Sequence, residues 1–256
     1  MRILLVRHGY SEGNHDTSKY HEKGDQNIGL TETGWNEAYQ AGKFLKDYYL
    51  RNNENPKWPH IFLSPYTRTR ETMSGILRGM EGYQETPPKF REDPRLVEKF
   101  FGAASALEYT DHEDIPPSFK KGLQALFKLV YHKDPFSTSG LFGESQKNIL
   151  NNVKGFIDGT LDRDIREGAE DILIVTHGAV IQAFLMSWFH IRMDEKTNIN
   201  NPDNCDIIAI TGEPKNWRAD RIYRGEIMLP TNEPWLEDLH SFTPADLPKF
   251  PEHILK

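Results

Sequence analysis

Two short apolar runs constrain this chain more than any other feature, because each is strand-length, rich in β-branched residues and ends in the same dipeptide. Ile3-Leu4-Leu5-Val6 runs into Arg7-His8-Gly9, and Ile172-Leu173-Ile174-Val175-Thr176 runs into His177-Gly178. Apolar runs without polar alternation read as parallel strands buried on both faces. Such strands deliver their last polar side chains to the carboxyl edge of an open sheet, where ligands bind. Each histidine is followed by a glycine that lets the backbone turn sharply. If the two strands are neighbours, both imidazoles face one crevice.

The remaining elements alternate strand with helix. Thr31 is placed to cap a helix whose stripe is Gly34, Ala38, Ala41, Gly42 and Leu45. Ile61-Phe62-Leu63 reads as the next strand, with Ser64 as N-cap and Pro65 as first residue of the following helix. Arg68 and Arg70 then fall near that helix's N-terminus, where a cation sits badly with the helix dipole unless an anion is present. Ile149, Val153, Phe156, Ile157 and Leu161 mark a helix before the second histidine strand, and Ile181, Phe184, Leu185 and Trp188 mark one after it. Cys205 to Ile210 reads as a further strand and Arg221 to Tyr223 as a short edge strand. The pattern predicts a three-layer α/β/α fold with a mostly parallel central sheet. We expect a single domain over 1–256, with an inserted helical cap at about 102–143 and a surface tail at about 230–256.

The 256 residues, 37% of them hydrophobic, suffice for such a domain, and a formal charge of −7 does not leave the basic footprint of a nucleic-acid binder. Any basic site must therefore be local. The single cysteine, Cys205, cannot form an intramolecular disulfide, and no Cys/His spacing suggests a zinc site. The apolar run after Met1-Arg2 is too short for a signal-peptide core, and no run reaches the length of a membrane span. The expectation is a cytoplasmic protein with no membrane partner, no nucleic-acid partner and no metal or other cofactor.

Arg7, His8, Arg68 and His177 all fall at or just beyond strand ends, where four positive or proton-bearing groups need an anion between them. A phosphate dianion accepts several N–H donors at once, and arginine offers two in a planar fork. One histidine can then stay neutral with a lone pair free to attack phosphorus, while the other donates to phosphate oxygens. Glu98 follows Leu96-Val97 and precedes Phe100-Phe101-Gly102, a setting that raises a carboxyl pKa and suits it to protonating a leaving oxygen.

These residues resemble the motifs of the histidine phosphatase superfamily, in particular its phosphoglycerate mutase-like branch, from Arg2 to about Ile210. The family's Arg-His-Gly with a nearby Ser and Asn corresponds to Arg7, His8, Gly9, Ser11 and Asn14, and its Leu-Thr-x-x-Gly to Leu30, Thr31 and Gly34. Its Ser-Pro-x-x-Arg is Ser64, Pro65 and Arg68, its acid lies at Glu98, its Gly-Glu-Ser is Gly143 to Ser145, and its second His-Gly is His177-Gly178. The resemblance implies that His8 becomes phosphohistidine and that Glu98 is the acid/base. It implies further that Arg7, Arg68 and His177 hold the phosphoryl group, with Ser11, Asn14 and Gly178 among the phosphate- or substrate-binding residues. The implied activity is metal-independent hydrolysis of a phosphorylated small molecule.

Two departures bear on substrate. Tyr10 stands where the family commonly has Glu, and Lys99 follows the acid where mutases usually carry Arg. The 102–143 insert has no adjacent arginine pair of the mutase kind; its basic residues are Lys120, Lys121, Lys128, His132 and Lys133, beside an apolar helical stripe of Phe119, Leu123, Leu126, Phe127 and Val130. A hydrolytic phosphomonoesterase is the reading we adopt. A phosphoglycerate mutase-type transfer, with the same covalent step, and a non-catalytic phosphate- or protein-binding module are the alternatives.

Overall fold

The computed structural model describes residues 1–54, 56–100, 102, 116–122, 125, 143–193, 199–214 and 216–236, with the backbone alone at residue 21. The strands are β1 (Arg2–Arg7), β2 (His60–Leu63), β3 (Phe90–Glu92), β4 (Asp171–Thr176), β5 (Ile207–Glu213), β6 (Asn216–Arg224) and β7 (Leu229–Pro234). They form one sheet in the order β3-β2-β4-β1-β5-β6-β7. The principal helices are α1 (Glu12–His15), α2 (Lys19–Lys23), α3 (Glu32–Asn52), α4 (Thr67–Gly79), α5 (Gln146–Gly155), α6 (Asp162–Arg166) and α7 (Gly178–Trp188). A π-helical turn, Phe156–Leu161, joins α5 to α6.

The side-chain alternation of the strands makes the layers. Leu4 and Val6 of β1, Leu173 and Val175 of β4, and Ile61 and Leu63 of β2 pack beneath Ala38, Ala41, Leu45, Met73 and Ile76 of α3 and α4. Ile3, Leu5, Ile172, Ile174 and Phe62 face the other way, against Ile149 and Val153 of α5 and Val180, Ile181 and Phe184 of α7. Ile3 through Val6 are fully buried, and each such side chain contributes about 1.5–3 kcal/mol relative to exposure. A polar substitution in β1 or β4 therefore damages one core or the other.

The strand neighbours decide where the site lies. β1 and β4 are adjacent and parallel, with Arg7 opposite Thr176, so the residues that follow them, His8 and His177, emerge side by side at one edge. β2 pairs parallel on the far side of β4, bringing Ser64 to the same edge.

Several details differ from the sequence reading. The sheet is mixed: β1–β4, β2–β4 and β2–β3 are parallel, whereas β1–β5, β5–β6 and β6–β7 are antiparallel; short turns join β5 to β6 and β6 to β7, while β5 itself is reached through α7 and enters antiparallel to β1. β6 is longer than Arg221 to Tyr223 and lies inside the sheet, and β5 starts after Cys205, which has a positive φ of 56°. The expected tail begins as an edge strand, with Trp235 buried after it; residues 237–256 lie outside the described residues. α4 starts at Thr67 with Tyr66 as an extended N-cap, so Ser64 does not cap it and Pro65 precedes it. Of the insert, Phe119, Lys120 and Lys121 are described, while Leu123, Leu126, Phe127, Lys128, Val130, His132 and Lys133 are not. Phe119 is 57% exposed and packs into neither core.

Candidate active site

The loops at this edge are held close to one another by their backbones. His8 N–H donates to the Thr176 carbonyl at 2.9 Å, and Gly9 N–H to the Thr72 hydroxyl on α4 at 3.0 Å. Gly34 packs so tightly on the segment after His8 that a Cβ there would lie 2.2 Å from the Tyr10 carbonyl, which explains a glycine in the first turn of α3. Tyr10 N–H donates to the buried Glu37 carboxylate at 2.7 Å. From the opposite side, Cys205 N–H reaches the Arg7 carbonyl and the Asn204 amide the His8 carbonyl, at 3.1 and 2.9 Å.

The two histidine rings lie edge to face with centroids 5.2 Å apart, and both are buried. His8 Nδ1 is 2.8 Å from the Gly9 carbonyl oxygen. A carbonyl can only accept, so Nδ1 carries the proton and Nε2 of the neutral ring keeps its lone pair. Burial, and then the charges of Arg68 and Arg7, hold the His8 pKa well below its ordinary value. His177 is lowered likewise by burial, then by Arg68, His8 and Arg7. Its Nε2 is 2.8 Å from the Ser64 hydroxyl, and its Nδ1 has no hydrogen-bond partner among the described residues.

Arg68, the second residue of α4, is 1% exposed and lies over the Tyr66 ring with its guanidinium carbon 4.9 Å from the centroid. Its Nη1 donates to the Asp25 main-chain carbonyl at 2.7 Å, and the Asp25 carboxylate lies 2.8 Å from the same nitrogen. Arg7 donates from Nη1 to the Pro202 carbonyl at 2.6 Å. In both arginines Nε is buried without a partner among the described residues.

Burial pushes the Glu98 carboxyl above its ordinary value; the Lys99 amide, Arg68 and Arg7 oppose that shift and Asp25 adds to it. The Lys99 N–H donates to Glu98 Oε1 at 2.9 Å. The next loop residue is tied down by Glu144 of the Gly-Glu-Ser motif, whose carboxylate accepts from Phe100 N–H and whose own N–H donates to the Phe100 carbonyl, each at 2.8 Å.

The structure thus brings Arg7, His8, Arg68, His177 and Glu98 into one electrostatic environment. Ser11 and Asn14 are adjacent but occupied. They form the capping box of α1, in which each side chain serves the other residue's backbone, and Asn14 also accepts from Asn204 at 3.2 Å. Gly178 opens α7 and touches Asn201, whose Oδ1 would lie 2.2 Å from a Cβ at that position. Sequence reasoning missed Tyr20, Asp25, Tyr66 and Asn204. Tyr20 feels the charges of Arg68, Asp25, Glu98 and Arg7, and the Tyr66 hydroxyl is pushed up to about 12, chiefly by burial. Asp25 lies in the polar run between Asn14 and Gly29, whose composition reads as a loop over the site without singling out any one residue, and Tyr66 merely follows Ser64-Pro65. Among the described residues no three His, Cys, Asp or Glu side chains group as a metal-ion site, and no helix is long and apolar enough to cross a membrane.

A family model for the histidine phosphatase superfamily (branch 1) matches residues 3–224. Among curated proteins, the phosphoglycerate mutase-like protein AT74 of Arabidopsis thaliana is 32% identical over 215 residues, covering 80% of this chain and 63% of its own length. This chain therefore spans somewhat under two thirds of that relative. The broad-range acid phosphatase DET1 of Saccharomyces cerevisiae is 25% identical, covering 81% of this chain and 84% of its own. Among solved structures, a putative alpha-ribazole-5'-P phosphatase from Escherichia coli superposes with a TM-score of 0.63 at 19% identity, over 93% of this chain and 99% of its own.

Proposed function

We propose, from the premise that this chain belongs to the histidine phosphatase superfamily, that it is a phosphomonoesterase working through a phosphohistidine on His8. One observation carries the reading: Arg7 Nε, Arg68 Nε and His177 Nδ1 are buried without partners among the described residues, around a histidine with a free Nε2 lone pair. An unmet buried donor costs about 1–3 kcal/mol, more when charged, so several such nitrogens, on two arginines whose charges act on His8 and on the ring beside it, suit a ligand rich in acceptor oxygens. A tetrahedral phosphoryl group supplies them.

His8 Nε2 attacks phosphorus in line, forming the P–N bond as the ester P–O bond breaks. The Glu98 carboxyl, whose protonated form burial favours, gives its proton to the departing oxygen. Glu98 then takes a proton from water, whose oxygen attacks phosphorus and breaks the P–N bond, returning His8 and releasing inorganic phosphate. Ser64 accepts from Tyr66 N–H at 3.4 Å and directs its own proton to His177 Nε2, so that the His177 Nδ1–H faces the phosphoryl oxygens. Arg7 and Arg68 neutralise the charge that grows on those oxygens, a role that calls for no metal. The substrate class is a phosphorylated small molecule; the phosphatase names of some relatives accord with hydrolysis, and the mutase names of others with the transfer alternative.

The test is rapid-quench labelling with a radiolabelled phosphoester in the presence of a chelator. The expected outcome is an adduct that is acid-labile and base-stable, absent in a folded His8→Ala variant whose turnover is lost by several orders of magnitude. An acid-stable adduct, or substantial residual activity in His8→Ala, overturns the covalent step. Return of the label to an acceptor substrate rather than to water would favour the mutase.

A further inference from the structure

The Asp25 carboxylate is the least expected group at this site, because it places a negative charge where the proposed reaction must bring a dianion. Its Oδ1 lies 2.8 Å from Arg68 Nη1, yet that oxygen is buried and receives no aligned N–H, since the Nη1 hydrogen bond goes to the main-chain carbonyl of the same residue. The main-chain carbonyl and the Tyr66 ring therefore orient the guanidinium, and the carboxylate adds charge rather than a hydrogen bond. Tyr20, Tyr66 and Glu98 all feel the Asp25 charge, so it faces the same space as the acid.

The surrounding chain lets this carboxylate leave without unfolding anything. Asp25 follows Gly24, at φ 76°, and precedes the fully buried anchor Ile28. Leu30 N–H is fastened to Glu71 of α4 at 2.6 Å. Asp25 itself is 27% exposed, so a rotation about its own side-chain bonds takes the carboxylate from the arginine to water while the backbone stays fixed.

We propose that Asp25 is the resident counter-anion of the clamp: it neutralises Arg68 between turnovers, yields to the incoming phosphoryl group, and by returning expels the phosphate product. The inference rests on the clamp reading above. Two like-charged groups sharing one guanidinium repel strongly in a partly buried site, enough to weaken phosphate binding by about tenfold or more.

The experiment titrates inorganic phosphate into the intact chain and its Asp25→Asn variant by calorimetry, and measures phosphate as an inhibitor of aryl phosphate turnover. Asp25→Asn keeps the carbonyl that holds Arg68 and removes only the charge, so phosphate should bind about tenfold tighter and inhibit more strongly by the same factor. A carboxylate that merely props Arg68 predicts the opposite sign, and unchanged or weaker phosphate binding in the variant overturns the proposal alone. Failure of both wild type and variant to bind phosphate sinks the clamp reading and this inference with it. Asp25→Ala provides the same comparison if Asp25→Asn does not fold, and failure of both variants to fold marks the carboxylate as structural and overturns it too.

Discussion

The Ser64 hydroxyl lies 2.8 Å from Nε2 of His177, joining the end of β2 to the residue that follows β4. Its place before Pro65 suggests a helix cap, but α4 begins only at Thr67, and Ser64 is instead fully buried beside the imidazole. If its hydroxyl fixes the His177 tautomer, Ser64→Ala should lower kcat about tenfold, the worth of one oriented buried hydrogen bond, with KM for an aryl phosphate less affected. Steady-state kinetics on a variant with an unchanged melting profile checks this. Restoration by Ser64→Thr would separate orientation from packing.

Arg68→Lys should cost about 10²-fold or more in the chemical step, because an ammonium cannot supply the Nε donor and the planar fork together. Single-turnover kinetics isolates that step. An unaltered rate would place Arg68 outside the phosphoryl pocket, whatever its burial.

The activity should favour the acid side of neutrality. Catalysis needs neutral His8, whose pKa is held well below 6.5, and protonated Glu98, whose pKa is raised above 4.5. The alkaline limb of kcat/KM therefore belongs to Glu98 and should vanish in Glu98→Gln, which should also slow alkyl phosphates more than aryl ones, since an aryl oxide leaves without a proton. A profile whose alkaline limb survives that substitution would assign it to another group.

Stability should respond to pH through the same histidines. With folded-state pKa values depressed for His8 and His177, the unfolded chain binds protons below about 6.5 that the folded chain does not. Stability from these two groups is thus present above that pH and lost as pH falls from about 6.5 towards their folded values, at up to about 1.4 kcal/mol per pH unit for each. Glu98 acts with the opposite sign, because its raised pKa makes the folded chain the better proton binder between about 4.5 and its folded value. Denaturant titrations of His177→Gln across this range should show a shallower acid loss than the parent.

Much of the candidate site was legible because it is built from local signals. An apolar β-branched run that stops at His-Gly announces a buried strand and its carboxyl end, and two such runs nominate His8 and His177 on local grounds alone. Thr31 did cap α3, and the small residues after it do share a core with the sheet, while Gly42 also lies close against the Ile76 backbone of α4. Arg68 was nominated by being a cation at a helix start, and Glu98 by its apolar surroundings.

Local sequence therefore specifies the buried parallel strands β1, β2 and β4 and the polar residues at their ends, since each follows from neighbours within a few residues. Tertiary structure supplies the rest. The antiparallel half of the sheet, the pairing of Ser64 with His177 across 113 positions, and the meeting of Asp25 with Arg68 across 43 depend on which strands lie side by side and in what register. A lone Ser or Asp in a polar stretch carries no periodicity and no propensity that names a distant partner. Its role exists only once hydrophobic burial on both sheet faces has fixed β1, β4 and β2 edge to edge, because a hydrogen bond or ion pair acts over about 3–4 Å and the chain alone does not specify that distance.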